Sequence, residues 1–200
     1  MKTTARFVLA ATLLLGVAAC DSKENDPQPE APAPAATFTM GSSIYYPSPN
    51  VIAAISYPSG DVQHQAILND ELLYVHFDAK EGRDAVNFTI ERSQLTAAII
   101  GTYTLKSMPN TESGAADVRY VYYRENKPGS ISGSIYDSNN SHMGGQLTVT
   151  AYDAKRHLLS GSYEMRMENI TDPTDASWDP TDKERCNLTL WGTFSNLPIQ

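Results

Sequence analysis

The chain has 200 residues, 41% hydrophobic and 19% charged, with 15 Lys+Arg against 23 Asp+Glu and two cysteines. That length suits one domain with a real core and leaves no room for two large ones. A net charge of −8 excludes a protein that tracks nucleic-acid phosphates by counterion release, and two cysteines exclude a disulfide-stapled miniature fold.

Met1 to Arg6 carries Lys2 and Arg6 and no acid, and a 13-residue apolar run, Phe7 to Ala19, follows and ends at Cys20. A membrane span needs roughly 20 apolar residues. A short basic segment, a short apolar core and small residues before a cut site are instead the pattern of a secretory signal peptide. Val17-Ala18-Ala19-Cys20 resembles the lipobox of bacterial lipoproteins. The resemblance implies cleavage before Cys20, a diacylglycerol on its thiol and an acyl group on the new amino terminus. Residues 1–19 are expected to be the signal peptide.

Asp21 to Ala36 holds four prolines, four acids and no large apolar residue. Such a stretch cannot bury enough surface to fold, and its prolines favour an extended spacer. Residues 20–36 therefore read as a lipidated cysteine and a disordered tether, and 37–200 as the folded domain. One acyl chain binds a membrane marginally, whereas two or three hold a protein there. Asp21, Glu24 and Asp26 resemble the acidic export signals behind the lipidated cysteine of Bacteroidota surface lipoproteins. Asp21 would mean inner-membrane retention under the enterobacterial sorting rule. The proline-rich spacer and acid cluster favour the outer membrane, with its outer face open as the address. Loss of residues 1–19 leaves 13 basic against 23 acidic residues, a net charge of −10 that repels nucleic acid and anionic headgroups. It also leaves Cys186 as a lone thiol, which is expected to be buried.

From Thr37 onward the chain reads as strand after strand. Candidates are Phe38 to Met40, Val51 to Ser56, Leu72 to Asp78, Ala85 to Glu91, Gly101 to Lys106, Val118 to Tyr123, Gly129 to Tyr136, Leu147 to Tyr152, Tyr163 to Glu168 and Cys186 to Phe194. Tyr163-Met165-Met167 alternating with Glu164-Arg166-Glu168 is the clearest half-buried strand. Turn chemistry separates the strands, as at Pro47-Ser48-Pro49-Asn50, Lys80-Glu81-Gly82-Arg83-Asp84 and Ser138-Asn139-Asn140-Ser141. Only Ser93 to Ile100 offers a turn or two of helix. About ten strands with hairpin-length connections predict a single all-β domain, an antiparallel sandwich or barrel. Gly101-Thr102-Tyr103, Gly161-Ser162-Tyr163 and Gly192-Thr193-Phe194 repeat one pattern, read as a bulge or close backbone approach at each glycine.

Asp172-Pro173-Thr174-Asp175-Ala176-Ser177-Trp178-Asp179-Pro180-Thr181-Asp182 is the most distinctive segment of the domain. Asp172, Asp175, Asp179 and Asp182 could gather calcium, which takes six to eight oxygens, although their spacing is not that of an EF-hand. Trp178 could serve as a ligand platform. The plain alternative is a solvated hairpin loop whose prolines and acids prevent edge pairing.

Other chemistry is sparse. The sequence has no phosphate-binding glycine loop, no Gly-x-Ser-x-Gly elbow and no zinc spacing among His64, His76, His142 and His157. His76 and Asp78 share a strand face, as many pairs would by chance. No catalytic residue and no resident cofactor is assigned.

Gly145-Gln146-Leu147-Thr148-Val149-Thr150-Ala151-Tyr152-Asp153, Leu159-Ser160-Gly161-Ser162-Tyr163-Glu164-Met165 and the closing Leu190-Trp191-Gly192-Thr193-Phe194-Ser195-Asn196-Leu197 resemble a group of uncharacterised Bacteroidota lipoproteins. The resemblance covers Leu95 to Gln200 and implies fold and address, with no activity to carry over. Two classes of function remain. One is a non-enzymatic envelope module, binding or structural, that presents its loops to a glycan or an envelope protein, with Tyr45, Tyr46, Tyr57 and Trp178 as stacking rings or as half-buried rim residues. The other is an envelope hydrolase acting on glycans through a carboxylate pair such as Asp175 and Asp179, which would have to face each other across a cleft.

Overall fold

The computed structural model describes residues 32–80, 83–175, 177 and 184–200. Cys20, Trp178, Asp179 and Asp182 lie outside the described residues. Among those described, eleven strands run in chain order: β1 (Thr37–Tyr46), β2 (Val51–Tyr57), β3 (Val62–Leu68), β4 (Leu72–Ala79), β5 (Asp84–Glu91), β6 (Gly101–Thr104), β7 (Ala116–Lys127), β8 (Ser130–Asp137), β9 (Met143–Asp153), β10 (Leu158–Thr171) and β11 (Arg185–Pro198). They form two antiparallel sheets, a six-stranded one ordered β2-β1-β11-β10-β9-β6 and a five-stranded one ordered β3-β4-β5-β7-β8. The domain is a β-sandwich. The helix offered at Ser93 to Ile100 is a single 3-10 turn, Arg92–Gln94, followed by a loop that buries Ile99.

Alternation drives this architecture, because the inner strands turn every second side chain into one shared core, while the edge strands β2 and β8 bury little. On β4, Leu73, Val75, Phe77 and Ala79 are buried while Tyr74, His76 and Asp78 line the other face. On β10, Tyr163, Met165 and Met167 are buried beneath outward Glu164, Arg166 and Glu168. The Tyr163 ring sits mid-core, with centroids 5.2 Å from Phe77 and 5.1 Å from Phe88 of the opposite sheet.

The two sheets are tied at two corners. Ala66 on β3 bridges Ile199 just past β11, and Leu105 just past β6 bridges Ala116 on β7. Backbone bonds from Gln200 N to Ala66 O (3.0 Å) and from Lys106 N to Ala116 O (2.8 Å) close those corners. The last strand, β11, lies between β1 and β10 in the middle of its sheet.

The glycine motifs act as packing devices. The register of β10 slips beside Gly161, which pairs with Phe194, and a Cβ there would meet the Thr148 carbonyl and stand 2.6 Å from Phe194 Cζ. Two residue pairs along, Gly192 faces Tyr163, and its Cβ would stand 2.5 Å from three atoms of that side chain. The ring covering each of these glycines comes from the neighbouring strand, in a reciprocal pair.

Candidate functional site

Asp84 opens β5 with its carboxyl group turned into the sandwich, at 1% exposure. Three strands bring hydroxyls to it. Ser42 Oγ on β1 and Tyr57 Oη at the end of β2 each donate to Oδ2 at 2.8 Å, and Tyr120 Oη on β7 donates to Oδ1 at 2.5 Å. A buried carboxyl group survives in a β core only when its oxygens are engaged in this way. Burial first, and then the charge of Asp84, push the Tyr57 and Tyr120 hydroxyls well above the usual phenol range, so both remain donors.

Above this floor opens a cleft of about 490 Å³. Ile44, Ala53 and Ile55 form apolar walls, because β2 is an edge strand that the second sheet does not cover. At the rim the exposed Arg83 donates from Nη1 to Tyr122 Oη at 3.3 Å, which raises the guanidinium pKa further. A 490 Å³ cleft with a few convergent polar groups is of the size that holds a small molecule. Among the described residues that line it, Asp84 is the one carboxyl group and both its oxygens are taken, so the cleft can hold a ligand and those residues present no facing carboxyl pair.

The acidic loop turns out to be tied inward where it is described. Asp172 is buried; its Oδ1 accepts from Thr174 N and Thr174 Oγ1, both at 2.8 Å, and its Oδ2 accepts from Tyr46 Oη at 3.1 Å. Asp175 Oδ1 caps Ser177 N at 2.8 Å. Arg124 donates to the Pro173 carbonyl at 2.7 Å and also to that of Asp175, pinning the loop onto β7. Among the described residues no three His, Cys, Asp or Glu side chains gather as a metal site. Trp178, Asp179 and Asp182, the other members of the predicted ligand set, are outside the described residues.

Of the rings offered for stacking, Tyr57 is buried on Asp84 and Tyr46 points at Asp172, while Tyr45 bonds Asn50 Oδ1 at 3.1 Å. These bonds, buried at Tyr57 and half-buried at Tyr46, make the first two hydroxyls structural. Cys186 is a buried free thiol whose pKa burial, and secondarily the charge of Asp172, pushes up to about 12. It is an inert core residue, as the sequence predicts. His76 shares the outer face of β4 with Asp78; burial lowers its pKa and Asp78 opposes that shift. The buried Tyr163 hydroxyl has no hydrogen-bond partner among the described residues.

The sequence places Asp84 at the end of a turn, Lys80 to Asp84, between two strands. Its local signal is that of any acid beside Arg83, and its partners arrive from positions 42, 57 and 120. No family model matches the chain, and neither the curated proteins nor the solved structures contain a match. Among the described residues no helix is long and apolar enough to cross a membrane.

Proposed function

We propose that this chain is a lipoprotein of the bacterial envelope, anchored at the outer membrane through acylated Cys20, whose β-sandwich is a non-enzymatic binding module. The observation that carries the reading is the order of the N-terminal sequence: basic segment, short apolar run, Val17-Ala18-Ala19-Cys20, then a proline- and acid-rich spacer leading into the first strand. The likeness of its later strands to uncharacterised Bacteroidota lipoproteins belongs with this reading. A glycan or an envelope protein is the partner class that such a module would meet.

Binding is favoured over hydrolysis by the chemistry of the cleft. Glycoside hydrolysis needs two carboxyl groups set across the scissile bond, and among the described residues the cleft over Asp84 has one, already engaged by three hydroxyls.

Fractionation of cells producing the full chain tests the anchor. The wild-type protein is expected in the detergent phase of a membrane extract, and Cys20→Ala in the aqueous phase. Equal partition of the two proteins overturns the reading.

A further inference from the structure

The outer face of the six-stranded sheet carries a second concave surface, separate from the cleft over Asp84. Trp191 on β11 is 38% exposed there. Three atoms of its indole stand 2.7–2.9 Å from where a Cβ on Gly41 would be, so the ring lies flat on that glycine. A side chain at position 41 would lift the indole off the sheet.

Strand register places polar groups beside the ring. Trp191 pairs with Glu164 on β10, and Glu164 with Gln146 on β9. Across two strand spacings, the indole and the Gln146 amide are rooted about 10 Å apart. The next row along is Thr193, Ser162 and Thr148, all on the same face. These groups enclose a hollow of about 260 Å³. It meets a larger groove of about 690 Å³ at Gln146 and Glu164, and that groove continues past Arg166 and Glu168.

Two residues of β9 in this groove, Gly144 and Gly145, carry no side chains. Gly145 has φ +117°, and a Cβ there would run into the Glu164 carbonyl, so glycine is required. Gly144 is different, because a Cβ there would meet nothing within 4 Å. Its bare backbone is a floor that any larger residue would fill.

We infer that this groove binds a neutral polysaccharide chain, with one sugar ring packed on Trp191 and its hydroxyls paired to Glu164, Gln146 and Arg166. The inference rests on the binding-module reading and names its ligand class. A sugar presents an apolar C–H face together with hydroxyls that both donate and accept. The groove answers with an exposed indole face, an amide, and the carboxylate and guanidinium of the Glu164–Arg166 ion pair. An acyl chain would desolvate these polar groups without replacing their hydrogen bonds. A polyphosphate or nucleic acid would face Glu164 and Glu168 on a chain of net charge −8.

The test is electrophoresis of the full chain, in nonionic detergent, through gels containing dextran, mannan, laminarin, xyloglucan or arabinogalactan. At least one polysaccharide is expected to retard the protein. Trp191→Ala and Gly144→Phe should each weaken that retardation at least tenfold, and Gly144→Phe should keep the wild-type urea midpoint. Mobility unchanged by all five polysaccharides overturns the inference, as does retardation that survives both substitutions. Either result with Cys20 still partitioning the protein into detergent refutes the groove and leaves the anchor standing.

Discussion

Asp84 shows how much one buried side chain can organise. Ser42, Tyr57 and Tyr120 come from three strands of two sheets and meet only at its oxygens. Hydrogen bonds to such a group contribute about 1.5–3 kcal/mol each, and an orphaned buried hydroxyl adds its own desolvation cost. Asp84→Ala is therefore expected to lower unfolding stability by at least ~3 kcal/mol. Asp84→Asn keeps an acceptor and should lose about half as much; urea titrations of the two variants check the order. The same core makes the protein sensitive to alkali. Burial raises the pKa of Cys186 and of Tyr136 to about 12, and raises those of Tyr57, Tyr120 and Tyr163 as well. For a group whose folded pKa exceeds its unfolded one, the stabilisation is complete below the unfolded value and is lost as pH rises towards the folded value. Stability should hold to about pH 8.5, where unfolded thiols begin to ionise, and fall more steeply above about pH 10 with the phenols. Urea midpoints between pH 7 and 11 would show this, and Cys186→Ala should delay the onset. A midpoint constant to pH 11 would contradict it.

At the scale of the element, the glycine–aromatic pairs set how side chains pack between β10 and β11. The Tyr163 ring that covers Gly192 is itself held between Phe77 and Phe88, so it has nowhere to retreat. Gly192→Ala should cost about 1–3 kcal/mol from overpacking, and Gly161→Ala more, because the obstacle there includes backbone. Gly60→Ala, with nothing within 4 Å of the new methyl group, should leave the thermal midpoint within about 2 °C of wild type. Most of these strands were legible in the sequence because one face is apolar and the other is not, as in Tyr163 to Glu168. β3 was not. Along Val62–Leu68 only Val62 and Ala66 are fully buried, four residues apart, and His64 between them is half of a ring stack with Phe38 at 4.0 Å. The outer groove was illegible for a related reason. Trp191, Glu164 and Gln146 are 18 or more residues apart in sequence, and only antiparallel register aligns them.

At the scale of the whole molecule, the proposed leader and anchor precede a sandwich that buries much of its polar chemistry. Hydroxyls and acids that look available in the sequence, among them Tyr46, Tyr57, Asp84 and Asp172, are spent on holding strands and the acidic loop in place. What stays accessible is binding surface: an amphipathic cleft, a polar groove beside Trp191, and the edge strand β2, where Ile52 is 68% exposed. Such surfaces suit a module that holds a partner near a membrane to which it is itself attached. The attachment is the central claim, and the intact mass of the protein recovered from membranes tests it most directly. The mass should be that of residues 20–200 plus a diacylglyceryl group and an N-linked acyl chain, both absent from the Cys20→Ala protein. An unacylated protein, or one whose mature sequence begins anywhere other than Cys20, would contradict the account.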